Sequence, residues 1–382
     1  MREFRRAAVG TVLLGAGTGY AAGVVGPPVH AISSDFDVSL AAVGLLTSAF
    51  FAGIVALNLA APWLDRRIGP RSSVRLAALL MCAGSILCAV APAFGVLLGA
   101  RVLAGLGAAV ALIMGGLVGR TIGGPLLLGI YGGAITICVA IALALGGVLE
   151  SAGVDWRVEF AVAAVFGVSA LPFFTGRFPE IPRPPRSVAR DLMRAFASWA
   201  YWRVALLFVF AAGVPLIVSA WLVHYLTADG AMSAGAAGAV GFLLFAVSTL
   251  ARPAGSKADE RHHPLILLAS PFLAAAGFVL LALDTQPAFA VPAIVAVGIG
   301  FSIPYAVSYI RSEDLVAGEP ALGLSAELLA VNLTPVVATP AFGAAFDGGH
   351  AEAAWLALAV FSLLAAVANL PRPAPRSTTI AP

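Results

Sequence analysis

The sequence predicts an all-α membrane protein: twelve transmembrane helices in two pseudo-symmetric six-helix bundles. Three observations carry that expectation. Of its 382 residues, 60% are hydrophobic before its 41 glycines are counted, and only 11% are charged, where roughly 25% is usual for soluble chains. The mean hydropathy is +0.98. The apolar residues fall into runs of about 20, the length of helix that crosses a bilayer. This balance excludes a secreted enzyme, a disordered chain and a nucleic-acid binder. The net charge of only +3 is spread over short loops and marks no polyanion site.

Reading between charge and turn clusters places the runs at 7–29, 39–61, 75–93, 96–119, 126–148, 158–176, 204–226, 234–251, 264–283, 288–310, 322–345 and 353–370. The first follows Arg2, Arg5 and Arg6 as a signal peptide would, but it is too long for a signal core and is kept as a span. With the N-terminus inside, 20 of the 22 basic residues fall on the cytoplasmic side, the exceptions being Arg101 within a span and Arg157 in an outer loop. Asp35, Asp37, Glu150, Asp155, Glu159, Asp229, Asp284, Asp347 and Glu352 fall outside. This bias orients a multi-pass protein of the cytoplasmic (inner) membrane with both termini cytoplasmic.

The polar stretch 177–203, opened by Pro179, Pro182, Pro184 and Pro185, separates an N-terminal bundle (1–176) from a C-terminal bundle (204–370), with a tail at 371–382. Within it, Leu192, Phe196 and Trp199 with Arg190, Arg194 and Arg203 read equally as an interfacial helix or as a basic linker. The halves echo each other: Asp65 and Asp259 follow spans two and eight, and Gly105-x-Gly107 in span four parallels Gly298-x-Gly300 in span ten. Duplicated bundles are a common transporter plan.

At these residues the chain resembles the major facilitator superfamily. That family's loop after span two reads Gly-x-x-x-Asp-Arg-x-x-Gly-x-Arg-Arg. Asp65, Arg66, Gly69 and Arg71 match it, while Ala61 and Ser72 depart. The loop after span eight keeps Gly255 and Asp259. Arg101, Gly105 and Gly107 match the family's Arg-x-x-x-Gly-x-Gly, and Trp156, Arg157 and Phe160 its Trp-Arg-x-x-Phe. The Gly-Pro-x-x-Gly-Gly of many antiporters is absent from span five. The resemblance implies alternating access gated by the loop of Asp65, Arg66, Gly69 and Arg71 with Gly255 and Asp259 as the weaker counterpart. It also implies a cavity lined by spans one, four, seven and ten. Without the resemblance, the loop arginines read simply as topology signals.

Candidate coupling residues are Arg101, which otherwise snorkels outward; Glu327, the one carboxylate read inside a span, otherwise a first-turn residue favoured by the helix dipole; and His224, otherwise interfacial. A proton carrier needs a group that titrates in a cavity. Pocket candidates are Tyr20, with Thr18 beside it, Trp221, Asn332 and the stripe Ser302, Tyr305, Tyr309. Lys257, the only lysine, lies outside any Gly-Lys-Ser/Thr, so no P-loop drives the protein. Cys82, Cys88 and Cys138 in apolar runs read as packing residues rather than a metal or disulfide set. His30 and Asp35 share the His-x4-Asp spacing of some acyltransferases, with no phosphate site nearby. The expected protein is a monomeric secondary transporter in the lipid bilayer. It takes a small organic solute, is coupled to protons and has no cofactor. Its rivals are a membrane receptor, which short loops disfavour, and a membrane enzyme. Export and uptake stay open.

Overall fold

The computed structural model describes residues 2–58, 61–175, 198–256, 260–313 and 320–370. Among these the chain is helical, with no strand. The first helices are α1 (Arg2–Gly23), the short α2 (Val29–Phe36), α3 (Leu40–Asn58), α4 (Ala61–Ala89) and α5 (Phe94–Val110). After a π turn at Ala111–Gly115 come α6 (Gly116–Ser151) and α7 (Arg157–Ser169), ended by a 3₁₀ turn at Leu171–Phe173. Beyond 198 lie α8 (Trp199–Phe208), a π turn at Val209–Gly213, α9 (Val214–Ala228), α10 (Ala234–Ser256) and a 3₁₀ turn at Glu260–His262. Then follow α11 (His263–Leu283), α12 (Pro287–Glu313), α13 (Pro320–Asp347) and α14 (Ala351–Ala368).

Two glycine–proline pairs punctuate this run. Gly69 (φ 74°, ψ 163°) and Gly124 (φ 62°, ψ −153°) adopt backbone angles that L side chains disfavour, and Pro70 and Pro125 follow them. Glycine supplies the turn, and proline starts the next helix where its missing N–H costs nothing. The continuous helical stretch Phe94–Ser151 has 58 residues, or roughly 87 Å at 1.5 Å per residue, far more than a ~30 Å hydrocarbon core accepts. Its break at Gly124 makes two spans of it.

Among the described residues, nine helices are long and apolar enough to cross a membrane. With Phe94–Ser151 counted as two, they cover ten of the twelve expected runs. The other two expected spans lie on α1, which begins with four charged residues, and on the 13-residue α7. Leu79, Ile86, Val90, Val165, Val360 and Leu364 are exposed along the helices, an apolar surface suited to lipid rather than water. Of the expected linker and interfacial helix at 177–203, residues 177–197 lie outside the described residues, as do Asp259 and the tail, while those from Trp199 on open α8. There Trp199 and Trp202 are exposed while Tyr201 is buried.

The packing follows a repeated scheme. α1 lies along α6 and α7, α4 along α5 and α7, and α3 along α5. α12 lies between α10 and α11, and α14 packs on α11. The two sets meet through α3 with α13 and α6 with α10. The π turns have local causes. Pro215 lacks an N–H to close its helical turn. At Ala111 the phenol of Tyr131 donates to the carbonyl at 2.7 Å.

Candidate transport site and its seals

Among the described residues, the hydrogen bonds between the two sets of helices fall toward one end, the one bearing Asp35, Asp229, Asp347 and Glu352. Pro340 leaves the carbonyl of Val336 without its helical partner, and Ser48 of α3 donates to that carbonyl at 2.7 Å. The Thr339 hydroxyl lies 2.9 Å from the Gly44 carbonyl. Both Asp347 oxygens accept from the first amides of α3, Leu40 N–H and Ala41 N–H, each at 2.9 Å. These are charge-assisted bonds at a helix N-terminus, where an anion is favoured. Between α6 and α10, Ser151 Oγ accepts from Gly235 N–H at 2.7 Å. Gly26, just past α1, sits so close to the Ser219 carbonyl of α9 that a side chain there has no room.

At the opposite end no hydrogen bond joins the two sets among the described residues. Leu126 is 75% and Leu250 81% exposed, and Gly129, Gly132 and Gly133 of α6 face open space. A cavity of about 390 Å³ on this side lies within the N-terminal set, between α1 and α6, lined by Phe4, Arg5, Ala8, Ile122, Leu127 and Ile130.

The gate motif is partly visible. Arg71 Nε donates to the Phe174 carbonyl at 3.1 Å, tying the start of the second segment of α4 to the end of the α7 segment. Gly69 makes the turn that starts that segment. Asp65 and Arg66 lie on the helical backbone before it, but their side chains, like the whole of Asp259, fall outside the described ones. Gly255 is pressed against the Ile303 carbonyl of α12.

Arg101 is fully buried in the N-terminal set rather than on an open cavity. Its Nε donates to Leu46 O (3.2 Å) and Nη1 to Ala21 O (2.8 Å), and its guanidinium lies 4.5 Å from the centre of the Phe50 ring. It ties α1, α3 and α5 together, with the ring supplying cation–π attraction. The Trp156 motif does similar work: Trp156 Nε1 and Arg157 Nη1 both reach Asp35 of α2, at 3.2 and 2.9 Å. Asp35 is thereby part of an outer tie, and no acyltransferase pair with His30 is needed to explain it.

The remaining candidates are dispersed rather than gathered in one pocket. Tyr20 is buried and stacks on Phe166 at 4.7 Å. Trp221 donates to Thr339 O at 3.1 Å, and His224 packs against Trp221 and Phe346, so both belong to the seal. Asn332 donates to its own helix at Leu328 O. Tyr305 is wedged between Phe208 and the Arg252 guanidinium, 4.3 Å from its ring centre. Ser302 is buried with no hydrogen-bond partner for its hydroxyl among the described residues. Glu327 is wholly buried, its two oxygens likewise unpartnered among those residues, within electrostatic reach of Tyr201.

Three features were not anticipated. Asp347 was expected as a loop charge and is a latch on α3. α2 was expected as loop, although Val29, Ile32 and Phe36 have helical spacing and turn inward. Glu159 was placed in an outer loop, yet it is buried in the first turn of α7. Glu327 is therefore not the one buried carboxylate.

The model of the Major Facilitator Superfamily matches residues 11–319. The chain belongs to this superfamily. It is thus a multi-pass membrane protein of all-α fold, and its family is one of transporters, not enzymes. It is 28% identical over 171 residues to probable polyol transporter 6 of Arabidopsis thaliana, a match covering 43% of this chain and 34% of that protein. The chain therefore spans about a third of that curated relative. A bacterial homologue of the human lysosomal transporter Spinster, solved inward-facing and unoccupied, superposes with a TM-score of 0.77 at 20% identity, over 96% of each chain. The xylose transporter XylE of E. coli, inward open, gives 0.75 at 15% identity over 94% of each. The nucleoside transporter NupG gives 0.77 at 13% identity over 95% of this chain and 98% of that one. These likenesses share the superfamily fold.

Proposed function

We propose that this chain is a secondary active transporter that carries a small organic solute across the cytoplasmic membrane by alternating access. The single observation behind this reading is the asymmetry of its seals. Among the described residues, the two helical sets are joined at the expected outer end by close backbone approaches and a few hydrogen bonds, and by no hydrogen bond at the expected inner end. A permanent core would be packed along its whole length. A gate needs contacts that exist in one state only. The two sets act as bundles 1–176 and 204–370 about the linker 177–203, with the tail 371–382, and the arrangement described is open inward. Arg71 and the Asp65 motif hold the inner end in the other half of the cycle.

The solute we propose is uncharged and hydroxylated. Buried charges are few, and the polyol, xylose and nucleoside transporters named above suggest the class. Uptake of radiolabelled xylose, a polyol and a nucleoside into proteoliposomes tests it. Saturable uptake of one supports the reading, and no uptake of any by protein shown to be folded contradicts it.

Orientation is tested separately. Reporter fusions active only outside the cytoplasmic membrane are expected to stay silent at Ser187 and Ser377 and to be active at Asp229. A signal at Ser377 contradicts the both-termini-inside topology.

Protons are the proposed coupling ion, with Glu327 as a carrier, because its carboxyl is buried without a partner among the described residues. Glu327→Gln is expected to lower pH-gradient-driven uptake at least tenfold while leaving exchange without a gradient nearly intact. Unchanged gradient dependence would move the coupling elsewhere, and His224→Ala then asks whether the seal histidine carries it.

A further inference from the structure

Glu159 sits where a carboxylate anion has little to hold it. It is 1% exposed in the first turn of α7, and its Oε2 has no hydrogen-bond partner among the described residues. The nearest guanidinium along the chain, Arg157, is committed to Asp35 at 2.9 Å and Asp155 at 3.6 Å. A second acid, Glu150 at the end of α6, also has a buried, unpartnered Oε2 and interacts electrostatically with Glu159. From α1, the fully buried Tyr20 phenol, unpartnered among the described residues, lies within electrostatic reach of Glu159 and of Cys138 in α6. The Glu159 carboxyl also shares a tight space with the α1–α2 connection at Pro27. A methyl group on Gly146 would lie 2.5 Å from both Glu159 Oε2 and Pro27 Cγ.

Two carboxylates within electrostatic reach of each other and without a cation cannot both stay ionised at low cost; one proton on the pair removes the repulsion and supplies a donor. The start of α7 favours an anion through its dipole, but that gain is smaller than the cost of an unpaired buried charge. Pro27 follows Gly26, the residue seated on the Ser219 carbonyl of α9. Parting the outer seal thus moves the chain that covers the acid.

We propose that Glu159, with Glu150 and Tyr20, forms a proton-binding site between α1, α6 and α7 that exchanges its proton with the outer solution when the outer seal opens. The titratable groups facing it are Glu150 and Cys138 of α6 and Tyr20 of α1. His224 and Asp347 belong to α9 and α13, across the seal. The role in transport rests on the function proposed above, but proton binding itself does not.

Infrared titration of the purified protein in lipid vesicles, in potassium chloride, tests it with the proton as probe. A protonated-carboxyl band is expected to persist in the wild type at neutral pH, to disappear in Glu159→Gln and to survive in Glu327→Gln, less any band of Glu327 itself. Glu150→Gln, which keeps Glu159 and its packing, is expected to shift the pH at which the band vanishes, and Tyr20→Phe to shift its frequency. A band unchanged in Glu159→Gln, or one unmoved in Glu150→Gln should Glu159→Gln not fold, overturns the site. So does its displacement when sodium replaces potassium, which would make it a metal-cation site. An altered band with no uptake of any solute leaves the site standing and fails the transporter reading; an unaltered band with uptake does the reverse.

Discussion

Gly26→Val is expected to open the outer end of the protein without unfolding it. The added side chain meets the Ser219 carbonyl of α9, a backbone atom that cannot rotate away. Overpacking of this kind costs about 1–3 kcal/mol, and ~1.4 kcal/mol already changes a two-state population tenfold. The contact lies across the seal, so parting the two sets relieves the clash. Transport of any accepted solute should fall at least tenfold, while the melting temperature changes little. Gly99→Val is the matched control, because a side chain there meets nothing within 4 Å. A normal transport rate in Gly26→Val, or an equal loss in both variants, contradicts the proposed gate.

Arg101→Leu is expected to do the opposite: to weaken the fold, whatever its effect on transport. It strips donors from the carbonyls of Ala21 and Leu46 and removes the cation from the Phe50 ring. Hydrogen bonds to charged groups are each worth about 1.5–3 kcal/mol, so a loss of roughly 3 kcal/mol is reasonable, read as a lower melting temperature in detergent. Arg101→Lys should recover part of it, since an ammonium cannot reach two carbonyls with the same planar fork. An unchanged melting temperature with lost transport would return Arg101 to the cavity role that its motif suggested.

These two residues also show what the sequence could convey. The helices were legible because lipid imposes a length and a composition on them, and the Gly69-Pro70 and Gly124-Pro125 pairs signal breaks to anyone reading turn chemistry. Arg101 was legible as unusual but not as a tie, because hydropathy cannot tell a side chain facing carbonyls of neighbouring helices from one facing a cavity. Gly26 is one of 41 glycines, and nothing local distinguishes it. Its importance comes from a backbone in α9, nearly two hundred residues away. Glu159 was misread because it follows Trp156 and Arg157, which mark a membrane boundary, and a boundary carboxylate is ordinarily solvated. Only the packing of Gly146 and Pro27 over it reveals burial. Asp347 was read as a loop charge for the same reason, its partners Leu40 and Ala41 lying some three hundred residues earlier.

The central claim is that the two ends open in alternation. Spin labels placed pairwise at Ser34 and Asp229 on the expected outer side, and at Thr121 and Leu250 on the inner side, report both ends by electron–electron distance measurements in lipid. In the wild type we expect a short outer and a long inner distance. In Gly26→Val the outer distance should lengthen and the inner one shorten together. If both distances stay fixed, or both lengthen, the seals are parts of a rigid or loosened fold and the alternating-access account is wrong.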